Sequence, residues 1–199
     1  MSPEARRAID VPERIETARL ILRCARGAED AAALNAAVRE SLPELAPWMP
    51  WAQSAPSLAE TEAVCRRMRV DFLLRNDLVV LVFERRADGS EGELVGGSGL
   101  HRIDWTVRRF EIGYWCRTSW CGRGLVTEAA RGLAAWAFTQ LHARRVEIRT
   151  DAANQRSRRV AERAGFDLEG VLRQDSLSPQ GTPRDTCVYA RIGLADAPA

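Results

Sequence analysis

The sequence predicts a single mixed α/β domain, and three patterns in it lead there. Short apolar runs at 78–84, 94–103 and 110–116 follow one another across brief connections, the pattern of an antiparallel meander. A long helix-periodic stretch, from about Arg123 to Leu141, then separates 110–116 from the alternating run at 145–150. Those two strands are therefore expected to be parallel neighbours joined by a helical crossover. The chain is also globular in composition: 199 residues, 46% hydrophobic and 28% charged, enough for one real core.

Each element has its own signal. Residues 1–15 are polar, carry prolines and are expected to form a flexible N-terminal arm. The run TARLILR at 17–23 reads as the first strand. Ala31, Leu34 and Val38 at helical spacing predict a helix over 28–39. Pro43, Pro47 and Pro50 break any helix there and leave Trp48 and Trp51 in a stiffened loop. Such a loop either packs on the core or lines a ligand cleft. Ser57-Leu58-Ala59-Glu60 fits a capping box and starts a second helix, with Leu58, Cys65, Met68 and Phe72 on one face. The third helix, over 123–141, presents Val126, Ala130, Leu133, Ala137 and Leu141 together. A fourth helix over 154–164 stops at Gly165, and strands at 166–177 and 186–192 close the chain around Pro179-Gln180-Gly181. The expected order is β-α-α-β-β-β-α-β-α-β-β: seven strands and four helices in one domain over 16–193, followed by a tail at 194–199.

Composition removes several function classes. A net charge of +2 is too small to imply a nucleic-acid or membrane partner. All 29 basic residues are arginine, which excludes a catalytic lysine or Schiff base. Cys24, Cys65, Cys116, Cys121 and Cys187 form no CxxC pair, and only His101 and His142 could join them, so no metal site is expected. The N-terminal MSPEARRAIDVPERIE has no apolar h-region and no run approaches a membrane span. The reading expects a reduced, cytoplasmic protein.

Residues 111–128, EIGYWCRTSWCGRGLVTE, combine a short strand with a glycine-bearing turn and a helix start. First-turn amides have no intrahelical partner, the helix dipole adds positive charge, and glycine lets phosphate oxygens approach. The stretch is thus either a phosphate cradle or a strand–helix connection that needs glycine for its geometry.

The strand order and the motifs together resemble the GCN5-related N-acetyltransferases, and within them the RimJ/RimL-type branch. The motifs are TARLILR, PWMPW, SGLHRID at 99–104 with its preceding serine, EIGYW at 111–115, GRGLVTEA at 122–129, NQRSRRVAERAGF at 154–166 and LEGVLR at 168–173. The resemblance implies that strands 4 and 5 are parallel and splayed, with acetyl-CoA as co-substrate between them and no metal. It places the coenzyme pyrophosphate on Cys121-Gly122-Arg123-Gly124-Leu125-Val126. Cys121 stands where the family has a polar residue, and Val126 where it has a small one. Arg123 either adds a phosphate contact or is a solvated helix-start residue.

The same resemblance puts a carbonyl-binding backbone amide near Tyr114, Trp115 and Cys116. It gives Asn154 to the pantetheine amides and Ser157 to the departing thiolate; read on their own, these two residues are a helix cap and a packing residue. Many relatives carry a tyrosine acid where this chain has Ala161. Glu111 is the expected general base, with a solvated or arginine-paired carboxylate as its alternative; His101, which would titrate near neutral pH unperturbed, is the second candidate. Trp48, Trp51 and His101 would shape the acceptor cleft.

An α-amine, with a pKa of about 7.7–8.0 against about 10.4 for lysine, suits such a site best. A protein N-terminus, a ribosomal protein among others, is therefore the expected acceptor. A small-molecule amine is the alternative, and a non-catalytic acyl-CoA-binding or RNA-associated module, using Arg144, Arg145, Arg156, Arg158 and Arg159, is the reading of another class. The branch often forms homodimers.

Overall fold

In the computed structural model, which describes residue 4 and residues 8–193, one eight-stranded sheet carries helices on both faces. The predicted arm at 1–3 and 5–7 and the predicted tail at 194–199 lie outside the described residues. The strands are β1 (Arg14–Glu16), β2 (Leu20–Cys24), β3 (Leu78–Arg85), β4 (Glu91–Asp104), β5 (Arg109–Cys116), β6 (Arg145–Asp151), β7 (Asp167–Leu177) and β8 (Pro183–Ile192). They lie in the order β1-β2-β3-β4-β5-β6-β8-β7. Among the described residues only β5 and β6 pair in parallel, as the crossover predicts. The helices are α1 (Ala31–Leu45), α2 (Leu58–Leu73), α3 (Leu125–Gln140) and α4 (Gln155–Arg163).

Three local differences from the sequence reading have physical reasons. The eighth strand, β1, falls in the expected arm: Arg14, Ile15 and Glu16 pair with Arg23, Leu22 and Ile21, and buried Val11 anchors the approach. Helix α1 passes through Pro43 and ends at Leu45, because a proline in the last turn removes a single ladder bond. On α2 the capping box forms as read, with Ser57 Oγ accepting from the Glu60 amide and Glu60 Oε2 from the Ser57 amide. Leu58, however, is exposed, and Thr61 joins Cys65 and Phe72 on the buried face.

The core has two parts, divided by the sheet. Under α3 and α4 lie Leu20, Leu22, Leu100, Phe110, Ile112, Val146 and Ile148, packed with Leu133, Ala137 and Ala161. Under α1 and α2 lie Ile21, Leu81, Phe83 and Leu94, packed with Leu34, Val38 and Cys65. A buried ion pair fixes the entry to α1: the Arg23 guanidinium donates to both Asp30 oxygens at 2.9 and 2.7 Å and stacks 4.3 Å from the Phe83 ring centre.

The feature that positions the site is where β5 and β6 part. Their pairing covers only Arg109↔Arg145, Phe110↔Val146 and Glu111↔Glu147. Beyond it β5 stays on β4 as far as Cys116, while β6 stays on β8 as far as Asp151. A wedge therefore opens in mid-sheet.

Candidate active site

The β5 edge of the wedge presents backbone donors. The Arg117 amide donates to the Val95 carbonyl at 2.7 Å on the β4 side. Antiparallel ladders alternate every residue, so the amides of Trp115 and Gly113 also face β4. Those of Tyr114 and Cys116 face the opening. The Tyr114 side chain reaches across to α4, where its hydroxyl donates to the Ser157 carbonyl at 2.9 Å and meets Ser157 Oγ at 3.1 Å. The phenol has one proton and spends it on the carbonyl, so the serine hydroxyl is the donor in the second contact. Burial pushes the Tyr114 phenol up to about 12, so it stays neutral. Burial likewise pushes the Cys116 thiol above its ordinary range, with Cys121 beside it adding to the effect, which makes Cys116 a poor nucleophile.

From β5 the chain turns through a short 3-10 segment, Thr118–Trp120, into the glycine loop. Gly122 and Gly124 both have positive φ, 80° and 75°, which a side chain would strain. Gly124 caps α3 without any side-chain hydrogen bond, so the first-turn amides from Leu125 onward keep no side-chain acceptor. The acidic residue of that turn, Glu128, is held by Arg19 Nε at 2.6 Å and Thr17 Oγ1 at 2.6 Å, and Arg19 also donates to the Arg123 carbonyl at 3.1 Å. Arg123 itself folds back on the turn, donating to the Ser119 carbonyl at 3.0 Å and stacking 4.6 Å from the Trp120 ring centre. Val126 borders, with Tyr114 and Gly96, a void of about 10 Å³. Cys121 is exposed at the loop's entrance.

On the α1–α2 face of the sheet lies a cavity of about 500 Å³. Its floor is β4 and β5, where Gly113 leaves room for the His101 ring: a Cβ there would stand 2.9 Å from His101 Cδ2. His101 Nδ1 lies 2.7 Å from Asp77 Oδ1. That contact fixes the ring and leaves Nε2 over Gly99 and Gly113. Trp51 stands at the wall, edge-on to Trp115 at 6.1 Å, while Trp48 is not among the lining residues. Glu111 is directly opposite His101 in the ladder, yet it does not line the cavity. Its Oε2 is buried without a hydrogen bond, 3.5 Å from Arg102 Nε. Burial raises the Glu111 pKa, against the pull of Arg102 and Arg149.

Asn154 Oδ1 accepts from the Ser157 amide at 3.0 Å, so its side-chain oxygen caps α4. Ala161 is fully buried and offers no proton. The basic patches are partly spent internally: Arg145 is clasped by Glu147 and Glu169, and Arg158 donates to Tyr189 and to the Ala152 carbonyl. Among the described residues there is no metal-ligating cluster, and no helix is long and apolar enough to cross a membrane. Sequence reasoning missed Asp77, the Tyr114 hydroxyl and Arg19. Each acts through a contact more than twenty residues away, for which no local pattern exists.

Comparison with known proteins bears on this arrangement. Residues 19–167 match the family described as Acetyltransferase (GNAT) domain. The chain is 39% identical over 102 residues to YdaF of Bacillus subtilis (strain 168), named as a candidate ribosomal N-acetyltransferase. It is 35% identical over 102 residues to the ribosomal-protein-serine acetyltransferase of Escherichia coli (strain K12). These matches cover 51% of this chain in both cases, and 55% and 56% of the relatives, so the chain spans about half the length of the curated relatives it matches. Among solved structures, RimL, the ribosomal L7/L12 α-N-protein acetyltransferase in complex with coenzyme A, superposes with a TM-score of 0.82 at 27% identity. That superposition covers 92% of this chain and 100% of RimL.

Proposed function

Since the chain belongs to the GNAT acetyltransferase family, we propose that it transfers an acetyl group from acetyl-CoA directly to the α-amine of a protein N-terminus. The observation that carries this reading is the wedge between β5 and β6. Free amides of Tyr114 and Cys116 line one edge, the Ser157 hydroxyl on α4 meets the Tyr114 side chain, and the strand runs on into a helix start with no side-chain cap. The residues fit the coenzyme: the positive-φ glycine turn and the Leu125–Thr127 amides suit a pyrophosphate. Acetyl-CoA, when bound, supplies an acetyl carbon activated as a thioester.

The chain's own residues then have distinct work. The Tyr114 and Cys116 amides stabilise the carbonyl oxygen as it gains charge. His101, oriented by Asp77 and facing the cavity, takes the proton from the attacking amine; the amine nitrogen bonds to the acetyl carbon and the C–S bond breaks. As the sulfur leaves, the Ser157 hydroxyl turns its one proton from the Tyr114 oxygen to the sulfur, while the Tyr114 hydroxyl stays on the Ser157 carbonyl. Glu111, expected from the sequence as the base, contributes instead a buried carboxylate beside the imidazole. Half-buried Cys116, as a neutral thiol, supports direct transfer over an acyl-enzyme.

An α-amine has an appreciable neutral fraction near neutral pH, which a lysine lacks, so a single imidazole base is adequate for it. The relatives' names make a ribosomal-protein N-terminus the first acceptor to test, and in this reading the protein works in the cytoplasm. Rates on an N-terminal peptide and on the same peptide α-blocked but bearing lysine decide the matter. Turnover of the free α-amine peptide alone is expected; preference for the lysine peptide overturns it.

A further inference from the structure

We propose that the acceptor cavity selects an amine carried by a bulky apolar residue, so that the first residue of a good peptide acceptor is phenylalanine or leucine rather than serine or alanine. This inference rests on the acetyl-transfer reading of the same site. The cavity of about 500 Å³ is far larger than a serine side chain needs and falls in the range of pockets that enclose whole ligands. Its walls are Leu34, Met49, Trp51, Val64, Met68 and Trp115, contributed by α1, the proline loop, α2 and β5.

Of the polar side chains in the lining, Arg67 is exposed at the surface, and the others are largely committed to the protein itself. Glu60 Oε2 accepts from the Ser57 amide and hydroxyl at 2.8 Å each. Thr61 Oγ1 donates to the Ser57 carbonyl at 3.0 Å and accepts from Asn35 at 2.8 Å. Ser98 Oγ donates to the Gly113 carbonyl at 2.7 Å, and His101 Nδ1 is held by Asp77. A serine hydroxyl set against the apolar walls gives up its water and gains no partner from them in return. An aromatic ring gains apolar contact on every side and the Trp51–Trp115 edge pair to pack against. Only the His101 end of the cavity is suited to the amine.

The test uses the whole protein, acetyl-CoA and four peptides that differ only in a first residue of Ser, Ala, Leu or Phe, with kcat/KM read by thiol release. Burial of one large apolar side chain predicts that Leu and Phe exceed Ser by about 10-fold to 100-fold. Filling the cavity by Met68→Trp, or by Val64→Phe if the first variant melts early, is expected to remove that advantage, so that the ratio of kcat/KM for the Phe and Ser peptides falls to about one. Turnover of Ser or Ala peptides at rates equal to or above Phe overturns the selectivity while leaving acetyl transfer intact. Coenzyme binding without thiol release on any peptide overturns the acetyl-transfer reading itself, and the selectivity with it.

Discussion

If His101 takes the amine proton, replacing it with alanine lowers kcat by about 100-fold or more while acetyl-CoA still binds. Asp77→Asn is expected to lower kcat with little change in either KM, because Asp77 holds the ring and touches neither substrate; a loss of stability with unchanged kcat would make the contact merely structural. Glu111 calls for a different measurement. Burial raises its pKa in the folded chain above the unfolded value, so between the two values the folded state holds the extra proton. Its contribution to stability is complete below the unfolded pKa and is lost as pH rises through the folded one. Glu111→Gln removes that loss, so its melting temperature relative to wild type is higher at pH 7 than at pH 4; a difference that grows on acidification would contradict the account. At this scale the sequence suggested both candidates and put Glu111 first. Asp77, which separates them, lies 24 residues from His101 and far from any motif.

At the scale of elements, the glycine turn and α3 were legible as a unit, since phosphate-cradling turns need glycine and free amides within a few consecutive residues. Gly124→Ala puts a Cβ at φ 75°, a strain of about 1–2 kcal/mol, and is expected to raise the KM for acetyl-CoA more than that for the peptide. Equal effects on both would place the turn outside the coenzyme site. The proline loop was less legible. Prolines signal a break, but Pro43 falls where α1 is already ending, so the helix runs on to Leu45 and carries the loop over the cavity. The Arg23–Asp30 pair at the start of α1 is buried on both sides, so Asp30→Ala strips the guanidinium of two buried acceptors, leaves it only Glu91 at 2.9 Å and the Cys24 carbonyl, and should destabilise the fold by about 1–3 kcal/mol in denaturant titration.

For the molecule as a whole, the strand order was readable from connection lengths: short links made the meander, and the α3 crossover made the β5–β6 pair parallel. The divergence of those strands after Glu111↔Glu147 was not readable from periodicity, because Ile112 and Ile148 continue the buried pattern as though still paired. It entered the sequence reading through the family resemblance alone. The wedge that results brings together residues from β4, β5, α3 and α4, none of which is chemically competent by itself. Thiol release from acetyl-CoA, followed on mixing the protein with a free N-terminal peptide and with mass analysis of the peptide, tests the joint claim most directly. The account predicts one thiol released for each acetyl group found on the α-amine, in a reaction slowed about 100-fold by Ser157→Ala. Tight coenzyme binding with no thiol release in the presence of any amine would contradict it.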